Sequence, residues 1–309
     1  MTRYIIRRLL YMIPMMFCVV LAVFLIMSLT PGDPAGNILP MNTPRDVKEA
    51  FNESVGFTGS LTSRFFNYME GLLRGNVTSY TTKENIFTEL AIRLPLTMRY
   101  GLVAFVLAGF IGVALGILSA VRQYSFLDTA VTVMSVAFAS IPSFFFAICL
   151  ILYFAVYRGT LPSFGSNDGI RSYILPTVTL VLSSVPVLSR MTRSAMLDTL
   201  NQDYIRTARA KGCSEKRVIW KHALKNASLP IIALLVSGFA GILGGSVIVE
   251  SIFTLPGIGT YMLNGINAKN VPVVMTCALL LSFIFMLSMV LMDIFFAMID
   301  PKIRLRYRR

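Results

Sequence analysis

Few residues of this sequence have the types and spacing that catalysis or metal binding requires. The single histidine, His222, has no cysteine or carboxylate at ligand spacing, and the four cysteines form no metal-binding pattern. A G-x-x-x-x-G-K-S/T segment, which would hold a nucleotide phosphate, is absent, and so is a recognisable pair of nucleophile and base. We therefore expect a chain that is not an enzyme and that holds no metal or cofactor of its own.

Two carboxylates, Glu250 and Asp293, stand inside long apolar runs, where an ionisable group often marks a functional site. Glu250 could face a substrate path, or it could form a structural pair or cap at a membrane edge. For Asp293 we expect a structural partner. Serines in apolar runs could offer hydroxyl groups to a peptide backbone, although serine also stabilises contacts between membrane helices. The candidate pathway residues are Ser135, Ser140, Ser143, Ser246 and Glu250.

The polar stretch 192–228 predicts two helices joined by a tight turn. Helix-forming residues lead up to Gly212, which suits the position just past a helix end where the backbone becomes left-handed. Ser214 is then the predicted N-cap of a second helix, which runs from Lys216 to about Ala227. The last turns of the first helix carry cations that complement the helix dipole. These cations are Arg206, Arg209 and Lys211.

The elements that must position these residues are membrane helices. The chain has 309 residues, of which 55% are hydrophobic and 14% charged, against about 45–50% and about 25% in soluble domains. This composition excludes a soluble enzyme, a disordered chain and, despite the net charge of +13, a nucleic-acid-binding domain. An all-α integral membrane protein is expected, with six segments near the roughly 20 apolar residues that a crossing needs. They are 9–29, 102–121, 129–156, 174–191, 229–252 and 273–299.

The distribution of Lys and Arg predicts that both termini lie in the cytoplasm. With that orientation the inside segments carry 18 Lys and Arg residues and the outside segments nine, as the positive-inside rule requires. We expect residues 1–96 to form an uncleaved first helix and an extracytoplasmic region, with a short helix at 62–73. Residues 97–299 form a five-helix core that contains the loop 192–228, and 300–309 form a basic cytoplasmic tail.

The loop could bind a protein partner or anionic lipid, and Trp220 could anchor it at the membrane or belong to a docking face. The order of its residues favours a protein. The runs DYIRTARAKG at 203–212 and HALKNASLP at 222–230 closely resemble the EAA loop of ABC importer permeases. Other runs resemble the B-type permeases of oligopeptide, dipeptide and nickel importers: RRLL at 7–10, PGDPA at 31–35, IRLPLT at 92–97, SIPSF at 140–144, GGSVIVESIF at 244–253, PGIG at 256–259 and DPKIR at 300–304. The run LRGNVTS at 73–79 departs from the family pattern.

The resemblance implies a type I ABC importer permease in a bacterial or archaeal inner membrane. Such a chain pairs with a homologous second permease, two ABC ATPase subunits that hold ATP and magnesium, and an extracytoplasmic solute-binding protein. In the family, the short helix of the loop sits in a groove on an ATPase subunit. Carried over, Ala208, Ala210 and Gly212 would permit close approach. The whole implied coupling set is Asp203, Tyr204, Arg206, Ala208, Arg209, Ala210, Lys211, Gly212, Ser214, Glu215 and His222.

The implied cargo is an oligopeptide or dipeptide, with a nickel or other metal chelate as the alternative. A secondary transporter that works alone is a different reading of the same apolar pattern. Against it, the sequence shows no inverted repeat and no cluster of intramembrane carboxylates for ion coupling. We therefore expect an importer subunit whose energy comes from ATP bound elsewhere.

Overall fold

The structure is a computed structural model that describes residues 2–165 and 167–299, with side chains described for 6–165 and 167–294. The predicted tail 300–309 lies outside these residues. Within them the regular structure is helical, apart from one isolated bridge between Thr78 and Asn85. The helices are α1 (Thr2–Leu29), α2 (Pro34–Ile38), α3 (Arg45–Ser54), α4 (Leu61–Leu73), α5 (Ile86–Val121), α6 (Phe126–Ala139), α7 (Ser143–Leu150), α8 (Ile174–Leu200), α9 (Asp203–Ala210), α10 (Glu215–Arg217), α11 (Leu224–Ile252), α12 (Ile258–Asn267) and α13 (Val271–Ile299).

Five stretches of helix are long and apolar enough to cross a membrane, and a sixth crossing results if one bent pair counts as a single span. The five are built on α1, α5, α8, α11 and α13. Each contains one of the apolar segments predicted to cross the membrane. The prediction works because about 20 apolar residues in helical form match the thickness of the hydrocarbon core. The predicted all-α membrane fold is therefore confirmed. The side on which the termini lie stays a prediction.

The third predicted span, 129–156, is two helices and not one. The helix α6 ends at Ala139, and α7 begins at Ser143 and continues as a π-helical segment, Ile151–Tyr157. The two arms are bent by 94°. Pro142 lacks the N–H that a continuous helix would use, and it disfavours a helical backbone at the residue before it. Apolar length alone therefore did not reveal the break within this segment.

Two other helices extend beyond their predicted spans. The helix α5 begins at Ile86 and not near residue 102, and α8 continues to Leu200 and not to residue 191. Both extensions carry charged residues, among them Glu89 and Arg93 in α5 and Arg193 in α8, so hydropathy marks where the apolar region ends and not where the helix ends. As a result, the polar loop after α8 is shorter than predicted.

The chain divides into two compact units, of which the first combines residues up to Thr97 with Pro256–Val290. Its core holds side chains from α1, α4, the start of α5, α12 and α13. Buried representatives are Phe24, Phe65, Ile86, Ile258 and Met275. The short helix predicted at 62–73 is confirmed as α4, whose Ser63 N–H donates to the Ser60 hydroxyl at 3.2 Å.

The second unit combines Met98–Leu255 with the stretch that begins at Leu291. Its central helix is α8, which packs against α6, α7 and α11. The helix α5 approaches α8 closely at Gly116, where an added Cβ would lie 2.5 Å from the Ser189 carbonyl oxygen and 2.6 Å from the Thr192 Cβ. This unit contains the loop 192–228 and both arms of the bent pair.

Candidate functional site

The predicted turn after the first loop helix is present. The helix α9 ends at Ala210, and Gly212 has a φ of +77°, the left-handed region that favours glycine. The Gly212 N–H donates to the Arg209 carbonyl at 2.9 Å, and the Cys213 N–H donates to the Ala208 carbonyl at 3.2 Å. These two bonds form a Schellman motif, which fixes the direction in which the chain leaves α9.

One face of α9 is buried against its own chain. Ile205 is fully buried and Ala208 nearly so, in a cluster with Met196 of α8 and with Val218 and Ala223 beyond the turn. Ala208 therefore contacts the interior of the second unit. Of the three small residues implied by the family, Ala210 and Gly212 are the two that are exposed.

The opposite face of α9 is exposed and charged. Arg209 donates from Nε and Nη2 to the two carboxylate oxygens of Glu215 across the turn, at 2.8 and 3.3 Å. Arg206 lies 3.8 Å from Asp203 one turn earlier. Other exposed residues of α9 and its C-terminal end are Tyr204, Thr207, Ala210 and Lys211. The exposed face of α9 and the turn after it thus carry charged side chains and one tyrosine ring at the surface of the chain.

The second loop helix is continuous with the next membrane span. It begins at Glu215, passes through a π-helical segment, Val218–Ala223, and runs on as α11. Ser214 holds the predicted N-cap position, but its side chain makes no capping hydrogen bond. His222 is half-buried, and its carbonyl accepts a hydrogen bond from the Asn226 amide at 2.8 Å. Trp220 is exposed.

A buried ion pair that the sequence did not predict lies close to this loop. Arg193 of α8 donates from Nε and Nη2 to the two oxygens of Asp128 at 2.6 and 2.8 Å. The same carboxylate accepts from the Ser119 hydroxyl on α5 and from the Tyr124 N–H in the turn before α6. One side chain therefore ties together α5, α6 and α8.

Glu250 is fully buried and is held by a tyrosine. The Tyr100 hydroxyl on α5 donates to Glu250 Oε1 at 2.6 Å. The nearby Ser246 hydroxyl donates to the Leu243 carbonyl of its own helix at 2.6 Å. This geometry supports the structural-pair alternative for Glu250. Asp293 is also buried.

The other candidate pathway serines are distributed over α6 and the bend that follows it. Ser135 lines an apolar cavity of about 380 Å³ between α5, α6 and α8. Ser140 and Ser143 stand on either side of the 94° bend, and the Ser140 hydroxyl donates to the Val136 carbonyl at 2.9 Å. Their role in a pathway stays a prediction. Among the described residues, no group of three or more His, Cys, Asp or Glu side chains is placed to hold a metal ion.

Two family models match the chain and together span nearly all of it. Residues 112–305 match the binding-protein-dependent transport system inner membrane component, and residues 1–101 match the N-terminal part of the same kind of membrane component. The chain belongs to this family. It is accordingly a multi-pass inner-membrane transport subunit, as the sequence predicted.

Two similar permeases align with nearly the whole chain. The oligopeptide transport system permease protein AppB of Bacillus subtilis strain 168 is 36% identical over 314 residues, which is 98% of this chain and 99% of AppB. The glutathione transport system permease protein GsiC of Escherichia coli strain K12 is 35% identical over 305 residues, with the same coverage. A solved inward-facing structure of the MetNI methionine ABC transporter has a TM-score of 0.61 at 20% identity and covers 70% of this chain and 99% of its own. That likeness confirms the permease fold.

Proposed function

We propose that this permease forms, with a homologous second permease, the path by which an ABC importer takes up peptides. Two ABC ATPase subunits supply the energy and hold ATP and magnesium, and an extracytoplasmic solute-binding protein delivers the cargo. This chain is then a non-catalytic subunit. The peptide cargo is supported by the likeness to AppB and GsiC, whose names specify oligopeptide and glutathione transport.

The observation that carries the coupling proposal is the fixed orientation of α9. Its buried face joins α9 to α8 and to the start of the helix that becomes α11, and its exposed end presents Ala210, Gly212 and the Arg209–Glu215 pair. A partner that displaced this end would move two membrane helices together, because a close-packed core transmits a displacement. The exposed end of α9 is therefore the proposed docking face for the ATPase.

Site-specific photo-crosslinking tests the docking face in the assembled complex. A photo-reactive residue at Ala210 should trap an ATPase subunit. The same residue at Ala137, which is exposed on the apolar helix α6, is the matched control and should not. Capture of lipid alone at Ala210 would favour the lipid-binding reading of the basic loop and would contradict the proposal.

A charge exchange separates docking from folding of the turn. Arg209→Glu removes the ion pair with Glu215, whereas Arg209→Glu combined with Glu215→Arg restores the pair and reverses the charges that a partner meets. We expect the double variant to recover the thermal stability of the chain but to keep at least a tenfold loss of ATP-driven peptide uptake. Full recovery of uptake would mean that this pair serves the turn alone.

Transport assays test the cargo and the dependence on partners. Proteoliposomes that contain the whole complex should take up labelled peptide when binding protein and ATP are present. The purified chain alone should move nothing under a proton or sodium gradient. Uptake of a nickel chelate in place of peptide would establish the alternative cargo, and unaided transport would overturn the importer reading.

A further inference from the structure

A small cavity lies in the first unit, between α4 and the segment that follows it, and both polar and apolar residues line it. Its volume is about 180 Å³, and a water molecule occupies about 30 Å³, so it has room for a group several times that size. Its polar lining comes from Arg64, Asn67, Tyr68, Asn76, Thr78 and Tyr80. Neither an Asp nor a Glu is among the residues that line it.

The guanidinium of Arg64 has no acceptor among the described residues. Its Nη2 is buried and makes no hydrogen bond, and no ion pair involves Arg64 in the described part of the chain. Two contacts are aromatic, since the Arg64 Cζ lies 4.1 Å from the Phe57 ring centroid and 5.9 Å from the Phe24 ring centroid. An aromatic face attracts a cation but leaves its N–H groups unsatisfied. Buried polar groups without a partner are rare, and each calls for an explanation such as a bound ion.

The surroundings of the cavity are positive. Lys269 is buried, and its ammonium donates to the carbonyls of Met27 and Thr30 at the end of α1, at 2.6 Å each. Burial lowers the pKa of Lys269, and the charge of Arg64 lowers it further. Burial raises the pKa of Tyr80, with a smaller opposing effect from Arg64, so the Tyr80 hydroxyl stays a neutral donor at neutral pH. The cavity thus combines a cation that lacks an acceptor with neutral donors.

We propose that this cavity is an anion site that binds one carboxylate group, with Arg64 as its principal ligand. A planar carboxylate matches the fork of a guanidinium and satisfies the N–H that the chain leaves unpaired. The carboxylate can come from a small acid in solution or from an acidic side chain of the docked solute-binding protein. The second source rests on the proposed function, whereas the first does not.

Acetate is the probe for the site itself. Thermal unfolding of the full-length protein is followed while sodium acetate replaces sodium methanesulfonate at constant ionic strength. We expect a saturable rise in Tm of a few degrees in the wild type, and we expect its loss in Arg64→Gln. The matched control is Arg45→Gln, which removes an exposed arginine that pairs with Glu49 and should keep the full response. The absence of a saturable response, or an equal response in Arg64→Gln, would overturn the proposal.

Two further variants keep the test decisive if Arg64→Gln folds poorly. Tyr80→Phe leaves the cation in place and should raise the half-saturating acetate concentration severalfold, while Arg64→Lys should keep a weaker response. An unchanged half-saturation in both variants would count against the site.

The two sources of the carboxylate are then separated by the affinity of the binding protein for the permease. If acetate weakens that affinity more in the wild type than in Arg64→Lys, the ligand is an acidic side chain of the binding protein. If acetate binds without changing the affinity, the ligand is a free acid. If the binding protein does not associate with any variant, the proposed function fails while the acetate result stands.

Discussion

The ion pair between Asp128 and Arg193 gives the sharpest test of how the second unit is held together. The Asp128 side chain is 5% exposed and the Arg193 side chain 26% exposed. Arg193→Gln leaves a buried carboxylate with two remaining donors, the Ser119 hydroxyl and the Tyr124 N–H. Asp128→Asn leaves a guanidinium that can still reach solvent. The arginine substitution should therefore be the more damaging of the two.

The magnitudes follow from this difference in burial. Removal of one partner from a buried pair costs about 3–5 kcal/mol, so we expect about 3 kcal/mol for Arg193→Gln. We expect about 2 kcal/mol for Asp128→Asn, because the arginine that this change leaves without a partner is the less buried of the two side chains. The double variant Asp128→Asn with Arg193→Gln has no stranded charge, so its cost should be about 3 kcal/mol and not the sum. The resulting coupling energy is about 2 kcal/mol, within the range for residues in direct contact.

A double-mutant cycle in one detergent and lipid mixture measures this coupling. The free energy of unfolding of the wild type, both single variants and the double variant is determined by SDS titration. The control cycle uses Arg45 and Glu49, whose side chains are 93% and 66% exposed, and should give about 0.5 kcal/mol or less. Single costs that add in the Asp128 and Arg193 cycle would refute the view that this pair joins the helices.

Two further substitutions test packing and capping. Gly116→Ala should destabilise the protein by about 1–3 kcal/mol because the added Cβ would meet the α8 backbone. The control Gly241→Ala has open space around it and should be neutral or stabilising by up to about 1 kcal/mol. Equal effects of the two variants in the unfolding assay would contradict the close approach of α5 to α8. Lys269→Met should cost about 2–3 kcal/mol because it removes two hydrogen bonds from a charged donor to the carbonyls at the end of α1. The control Lys216→Met changes an exposed lysine and should cost little. An equally mild effect of Lys269→Met would show that the lysine bonds at the end of α1 add no stability.

Most of the membrane architecture and the turn at Gly212 could be predicted because both depend on local sequence. Apolar length locates a membrane helix, and Gly212 marks a left-handed turn whatever the rest of the fold does. The bend at residues 140–143 depends on local sequence too, and the run Ser140-Ile141-Pro142-Ser143 was a signal that apolar length concealed. Similarly, Ile205 and Ala208 are three residues apart on one face of α9, a spacing that could have indicated that Ala208 faces inward.

The polar contacts that join distant segments could not be predicted in this way. Asp128 and Arg193 are far apart in the sequence, as are Tyr100 and Glu250, and local periodicity says which face a residue occupies but not which residue it meets. One partial signal was available for Asp128, because the sequence placed 122–128 and 190–228 on the same side of the membrane. This shared side limits the expected partners of the Asp128 carboxylate to the Lys and Arg residues of the inside segments, but it does not identify Arg193 among them.

The burial of one face of α9 decides how the turn at Gly212 can move. If α9 swung away from the second unit by itself, Ile205 would lose its core, and exposure of one such side chain costs about 1.5–3 kcal/mol. The Schellman turn and the Arg209–Glu215 pair would resist the same motion at the other end of the helix. No such loss arises if α9 moves together with α8 and α11, because the same contacts then travel with it. Since Arg193 also ties α8 to α5 and α6 through Asp128, a force applied at Ala210 is shared by four membrane helices. Displacement of the whole unit is therefore favoured over hinging of the loop.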